Sequence, residues 1–423
     1  MRYLPLSDAD RSEMLRVVGA SSIDELFRDV PETARLKGPI HGLPNHASEL
    51  AVERHMTTLS RKNMAAGDVP FFLADFEDGA GKPLGVCPRQ LLRKVVARAE
   101  KAGLAPMCGM EFEWFNFKET PASLAGKGGV DPQPMTPGMF GYSILRMSQN
   151  RPYFAALMDE LAAFGVPLEG LHTETGPGVT EGAILAADAL EAADRAVLFK
   201  TAVKEIASRF GLMPSFMAKW NTQLPGCGCH SHQSLWAGDR NVFFDDADPL
   251  KMSGVFRSYM AGLLRALPEV LPFLAPTVNS YKRLVEGYWA PTRPTWGVDN
   301  RTVAFRVIAG SPKSTRVEVR VSGADVNSYL AMAASLASGL YGIEKGLALE
   351  EGPIQGSAYH EAKGERLPRD LHEATVRLSQ SRLARELLGD AMVDHFVTTR
   401  LWEWRQFQNA VTDWELRRYF EII

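Results

Sequence analysis

Cysteine is scarce in this chain, with four among 423 residues: Cys87, Cys108, Cys227 and Cys229. No two of them form a C-x-x-C pair, and a chain of this length buries enough surface to need no disulfide staples. They read as reduced thiols in a cytoplasm. Cys227 and Cys229 lie close to His230, but a single residue between the cysteines is poor zinc spacing. Long apolar runs are also lacking, so no segment reads as a membrane span. The opening MRYLPLSDADRSEM has an early Arg with no apolar core behind it, which argues against a signal peptide. Neither charge sign dominates: 47 basic residues face 50 acidic ones, for a net charge of −3. That balance gives no electrostatic reason to expect nucleic acid or an anionic membrane as partner. Internal repeats and low-complexity segments are missing as well.

What is present is the pattern of a globular protein. Residues 1–72 read as a helical segment. Ser7 can cap a helix running to Val18 that Gly19 ends. Ser22 and Glu25 have capping-box spacing, Pro31 and the stretch 38–44 punctuate the chain, and a third helix is expected over 47–65. No strand pattern occurs before Val69. Beyond it, Phe71 to Ala74 reads as a strand, Asp78-Gly79 as a turn, and Pro88 as the start of a helix reaching 102. Strands are expected over 110–117, 167–173, 214–219, 303–308 and 316–321. Helices are expected over 153–164, 183–210, 252–267, 326–343, 371–388 and, with a break near Asp413, 391–420. Irregular strand spacing and alternating charge favour an α+β fold with an antiparallel sheet.

Four places carry unusual chemistry. In Glu111-Phe-Glu113-Trp, alternation puts both carboxylates on one strand face, where they repel unless a cation lies between them. Alone, the pair also fits a solvated sheet face. In 172–181 a Gly-Pro-Gly turn separates Glu174 from Glu181 and can fold both toward one point, although a surface loop would look the same. Period-two spacing gives His230, His232 and Ser234 a common face. Arginines recur at 283, 301, 306, 316 and 320, with Glu318 between the last two. Arginine binds phosphate and carboxylate in bidentate fashion, and oxygen-rich ligands with one imidazole suit Mg2+ or Mn2+.

From about Ala74 onward the chain resembles the glutamine synthetase catalytic domain. The matching strings are Glu-Phe-Glu at 111–113, His-Thr-Glu-Thr-Gly-Pro-Gly at 172–178 and Gly-Cys-His-Ser-His-Gln-Ser at 228–234. They continue with Asn-Ser-Tyr-Lys-Arg-Leu at 279–284, Asp-Asn-Arg-Thr at 299–302 and Arg-Val-Glu-Val-Arg at 316–320. Asn327-Ser-Tyr-Leu resembles the family's Asn-Pro-Tyr-Leu. Six ordered motifs make a chance match far less credible than any one of them. The resemblance implies a catalytic domain over 73–423, with an antiparallel sheet forming a cleft packed with helices. It implies two divalent cations per site, one held by Glu113, Glu174 and Glu181, the other by Glu111, His230 and Glu318. It implies ATP as co-substrate, meeting Glu169, His232, Ser234, Arg301, Arg306 and Lys313. It places substrate carboxylates at Arg283 and Arg320, with Gly226 in the neighbouring loop, and gives Arg301 and Arg320 catalytic parts. The implied partners are small molecules (glutamate, an amine or ammonia, ATP) and further copies of the chain in a homo-oligomer.

Three departures shape the expected activity. The family's Pro-Gly-Tyr-Glu-Ala-Pro reads Glu286-Gly-Tyr-Trp289-Ala-Pro, so an indole stands where the family has its ammonium-gating glutamate. An indole cannot accept a proton as a carboxylate does; Glu286 is the candidate replacement, and Trp289 a candidate acceptor-binding residue. Val179 and Pro225 replace the family's usual Gln and Asn. The family's small amino-terminal β-grasp domain has no counterpart in 1–72. That segment instead resembles the start of glycine dehydrogenase (decarboxylating) subunit 1, through 1–6, 21–27 and 48–55, without its pyridoxal-phosphate chemistry. The leading expectation is therefore an ATP-dependent carboxylate–amine ligase that forms a γ-glutamyl amide of an organic amine through a γ-glutamyl phosphate. Glutamine synthesis from ammonia and a catalytically silent relative are the other two readings.

Overall fold

The structure is a computed structural model and describes residues 8–31, 73–361 and 365–423. The chain divides into two units, 1–71 and 72–423. In the first, α1 (Asp8–Val18) is followed by a 3-10 turn, Asp24–Phe27. Ser22 Oγ accepts from the Glu25 amide at 3.2 Å, but the Glu25 carboxylate returns to Ser21 rather than Ser22. The capping box is thus shifted by one residue on its return arm. The expectations for Ser7, 38–44, 47–65 and Phe71-Phe72, and the glycine dehydrogenase-like strings at 1–6 and 48–55, lie outside the described residues.

The second unit is built on one sheet of ten strands. They are β1 (Ala105–Phe117), β2 (Leu168–Thr173), β3 (Val179–Ile184), β4 (Ala187–Asp188), β5 (Met213–Ser215), β6 (Cys229–Ala237), β7 (Arg240–Asn241), β8 (Trp296–Val298), β9 (Phe305–Ile308) and β10 (Arg316–Val319). The path across the sheet is β2-β3-β1-β6-β10-β9-β8, with β4 and β5 on β1 and β7 on β6. Every pair is antiparallel except β8 with β9, which is parallel and makes the sheet mixed. Leu73 and Ala74, expected in a strand, are in none. The Asp78 turn does form: its carboxylate accepts from the amides of Ala80 and Lys82, both at 2.9 Å.

Helices cover one face of the sheet. The main ones are α2 (Pro88–Lys101), α3 (Arg151–Ala163), α4 (Ala189–Arg209), α5 (Gly254–Leu274), α6 (Ser328–Glu344), α7 (Leu371–Gln380), α8 (Arg382–Leu388), α9 (Asp390–Asn409) and α10 (Asp413–Tyr419). The apolar side of β1 rests on α4: Phe112 stacks on Phe199 at 5.5 Å, and Trp114 meets the same ring edge-on at 5.5 Å. Small residues of α4 (Ala192, Ala193, Ala196) are buried at helical spacing, so the helix lies close to the strands. The expected helix over 183–210 began too early, because Ala183 and Ile184 complete β3. The one expected over 252–267 ended too soon, since α5 runs through Pro268 and Pro272 to Leu274. Its last turns are buried, and that packing outweighs the hydrogen bonds the two prolines cannot donate. Helix α6 crosses α5 closely: a Cβ on Gly262 would lie 2.2 Å from the Ser338 carbonyl oxygen. From that layer Ser335 and Tyr259 bond the Gln233 side chain at 2.6 Å each, fixing the buried face of β6.

Candidate active site

Register assembles the cleft. Glu111 and Glu113 leave the face of β1 opposite Phe112 and Trp114. Across β1 and β3, Glu113 is opposite Glu181; across β2 and β3, His172 is opposite Glu181. Across β1 and β6, Glu111 is opposite His230; across β6 and β10, His232 is opposite Glu318; and Glu318 is opposite Arg306 of β9. Six strands therefore present acids, imidazoles and a guanidinium on one face. They floor a cavity of about 400 Å³.

Among the described residues two groups, Glu111/His230/Glu318 and His172/Glu174/Glu181, each bring their ligand-type atoms within 4.8 Å of one another. The first is the expected triad. His230 Nδ1 is 2.9 Å from Glu111 and 3.4 Å from Glu318. The second has His172 where Glu113 was expected, with His172 Nε2 at 3.2 Å from Glu181. Glu113 nevertheless lines the cavity, and its carboxylate accepts from the Gly228 amide. His232 Nδ1 accepts from Arg316 Nε at 3.1 Å, so its hydrogen is on Nε2, which faces Glu111 at 3.5 Å.

The electrostatics fit a site for hard cations. Burial, with Glu111, Glu113 and Glu174 adding repulsion, pushes the Glu181 carboxyl up to about 12. For Glu111, burial opposes charging, yet hydrogen bonds to His230 and His232 hold it well below the usual carboxylate range. Glu318 is likewise held low against burial, by Arg320 and the two histidines. Glu181 is thus a partly buried carboxyl whose neighbours include three further acids. Carboxylate oxygens with one imidazole per group are the donor set that Mg2+ or Mn2+ accepts.

Arginines line the wall next to the acids. Arg306 donates to Glu318 at 3.0 Å and to Asp299 at 3.2 Å, and Arg320 donates to Glu318. The Nε groups of Arg306 and Arg320 are buried without a partner among the described residues, which leaves each a donor for an anion. Arg283 is buried, fixed by the Val321 and Arg320 carbonyls at 2.9 and 3.2 Å. Gly226 lets the chain pass it: a Cβ there would lie 2.3 Å from the Ala218 oxygen and 2.8 Å from Arg283 Cγ. Arg301 donates to the Tyr142 hydroxyl at 3.2 Å.

Several expected residues lie elsewhere. Glu286 does not line the cleft; it pairs with Arg366 beside a different cavity. That placement sets it apart from the acids of the cleft. Glu169 and Lys313 are exposed and, like His232 and Ser234, are not among the cavity walls. The Ser234 hydroxyl accepts from Trp236 at 2.9 Å. Trp289 does line the cleft, 57% exposed and with φ of +61°, beside Val179 and Pro225. Lys219 braces the strap 286–291 that carries Trp289, its ammonium 3.8 Å from the Tyr288 ring centroid. Residues not singled out from the sequence are His172, Tyr142, Thr175 and Tyr288. His172 was legible, since it precedes Glu174 by two in an extended segment. Tyr142 was not: it sits in a loop at φ of +54°, its ring 4.8 Å from that of His172.

Comparison with known proteins points one way. The family pattern described as glutamine synthetase, catalytic domain, matches residues 85–419. The chain is 56% identical over 362 residues to type-1 glutamine synthetase 2 of Dictyostelium discoideum, covering 84% of this chain and 69% of that protein. It is 36% identical over 355 residues to the glutamate–isopropylamine ligase of a Pseudomonas species, covering 83% and 77%. A solved GmaS/ADP complex superposes with a TM-score of 0.75 at 31% identity, covering 84% of this chain and 81% of that one.

Proposed function

The chain belongs to the glutamine synthetase family of carbon–nitrogen ligases, and from that premise we propose that it joins the γ-carboxylate of glutamate to an organic amine at the expense of ATP. A carboxylate is a poor acyl donor because oxide is a poor leaving group. Its oxygen attacks the γ-phosphorus of ATP, the bond to the bridging oxygen breaks, and ADP departs, leaving a γ-glutamyl phosphate. The amine nitrogen then attacks the carbonyl carbon, phosphate leaves, and one proton is lost as the amide forms.

The side chains divide this work. Arg283 and Arg320 receive substrate carboxylates, and Arg301, Arg306 and Arg320 face the charge that builds on the phosphoryl oxygens. Glu111, His230 and Glu318 would hold one divalent cation, and Glu174, Glu181, His172 and Glu113 would surround a second. When bound, such ions neutralise phosphoryl charge in a site that carries five acids. The released proton passes to a cleft carboxylate, since Glu286 is elsewhere.

The observation that carries the choice of acceptor is Trp289. Together with Val179 and Pro225 it lines the cleft with apolar surface, and no carboxylate follows Tyr288 in the strap. An alkyl substituent gains by covering an indole, whereas ammonia gains nothing there. The isopropylamine-ligase relative supports this reading. The second reading, glutamine synthesis from ammonia, draws on the 56% identity to a protein of that name. ADP release with glutamate, Mg2+ or Mn2+ and a panel of alkylamines, diamines and ammonia separates them. The expected outcome is turnover with one or more amines at a kcat/KM at least about tenfold above that for ammonia. Ammonia as the preferred acceptor would select the second reading.

A further inference from the structure

A second cavity, of about 480 Å³, lies behind the strap that carries Trp289. Its walls include Tyr281, Glu286, Thr292, Arg366 and Arg369, with apolar surface from Leu284 and Leu367. Three observations make it more than a gap. Tyr281 is 5% exposed, and its hydroxyl has no hydrogen-bond partner among the described residues. A buried hydroxyl left unmated costs stability unless something completes it. The Arg369 guanidinium likewise has no partner among the described residues; only its backbone amide is engaged, with Glu373. Among the described residues Arg366 is held by Glu286 alone, an ion pair in which both side chains are about two-fifths exposed and which water weakens.

Asp370, Asp325 and Glu373 all act on the Tyr281 hydroxyl, and Asp325 accepts from Thr277 and Ser280 at 2.8 and 2.6 Å. Asp370 accepts from the Glu373 amide at 2.8 Å, Glu373 from the Arg369 amide at 2.8 Å, and Glu365 pairs with Arg377 at 3.1 Å. Two guanidiniums and one buried hydroxyl thus line a cavity whose one lining carboxylate, among the described residues, is Glu286. That donor set, with an apolar lining, matches an organic carboxylate rather than a cation or an uncharged ligand. The walls are also tied to the strap. Leu367 N donates to Thr292 O at 2.9 Å.

We propose that this cavity binds a small organic carboxylate, which takes Arg366 from Glu286 and so alters the strap that presents Trp289 to the acceptor. Binding stands on the cavity alone; the effect on the acceptor rests on the ligase reading. The probe is glutarate, titrated calorimetrically into the full chain with Mg2+, ADP and glutamate at saturation so that the cleft is filled. The expected result is one saturable site that weakens about tenfold or more in Arg369→Gln, and similarly in Tyr281→Phe, a change that removes one hydroxyl and no charge. Binding abolished by filling the cleft, or undiminished in both variants, overturns the proposal. Inorganic phosphate bound as tightly as glutarate would overturn the organic assignment. In the kinetic arm, glutarate is expected to shift KM for the amine with KM for ATP unchanged; equal shifts in both would overturn the link to the strap. If no amine supports ADP formation, the ligase reading fails while calorimetry still decides the site.

Discussion

Glu181 illustrates how single side chains in this cleft are set against folding. Its ordinary value of 4.5 rises to about 12 through burial first and then through Glu111, Glu113 and Glu174. A carboxyl raised in the folded state contributes stability that is intact below about pH 4.5 and is lost as pH climbs toward the folded value. Metal-free protein is therefore expected to lose melting temperature between about pH 6 and about pH 9. Glu181→Gln should flatten that slope and stabilise the metal-free protein by about 1–3 kcal/mol at neutral pH. The same change should abolish most of the rise in melting temperature on adding Mn2+. Thermal melts across pH, with and without the ion, check both signs; a destabilised variant with an intact ion response would refute the assignment. At Gly226 the argument is steric. Gly226→Ala drives a methyl into the Ala218 carbonyl and the Arg283 stem, so Arg283 must move. KM for the carboxylate substrate is expected to rise about tenfold or more, by loss of a charged hydrogen bond, with KM for ATP little changed.

At the scale of elements, the sheet face was legible because side chains on a strand alternate. The spacing in 111–113, 230–234 and 316–320 predicted which residues share a side, and register then brought Glu111 to His230 and Glu318 toward both. Alternation does not give strand pairing, so the placing of His172 opposite Glu181 and the parallel β8–β9 pair come from the register alone. Closeness in sequence to Trp289 says nothing about direction for Glu286; the strap turns at Gly287 and Trp289, both at positive φ, and leaves Glu286 on Arg366. Helix α5 runs past the expected end at 267 because burial overrides the local cost of Pro268 and Pro272. The α5–α6 crossing holds the sheet from behind. A Cβ on Gly342 would fall 2.0 Å from the Ser258 oxygen, so Gly342→Ala is expected to destabilise by about 1–3 kcal/mol. Because Gln233 is bonded from this layer, the same variant should also blunt the ion-dependent melting shift. Urea unfolding paired with the Mn2+ melt checks this; unchanged stability would mean the helices separate at no cost.

For the whole molecule, the division into units 1–71 and 72–423 meets a clear contrast in burial. None of the described residues 9–31 is buried, whereas the second unit has its own apolar core around Phe112, Trp114, Phe199, Phe256 and Leu336. Every acid, imidazole and guanidinium of the cleft comes from between Glu111 and Arg320. A unit that holds its own core meets the physical requirement for folding alone. Residues 73–423 expressed by themselves are therefore expected to unfold in one cooperative transition and to keep the Mn2+-dependent rise in melting temperature. Amine-dependent ADP formation should persist within about tenfold of the full chain, since no cleft side chain is removed. Calorimetric melts and coupled ADP assays on the two chains side by side decide it. A fragment that folds and binds the ion but forms no ADP would show that residues 1–72 complete the site; one that fails to fold would place part of the core's support there.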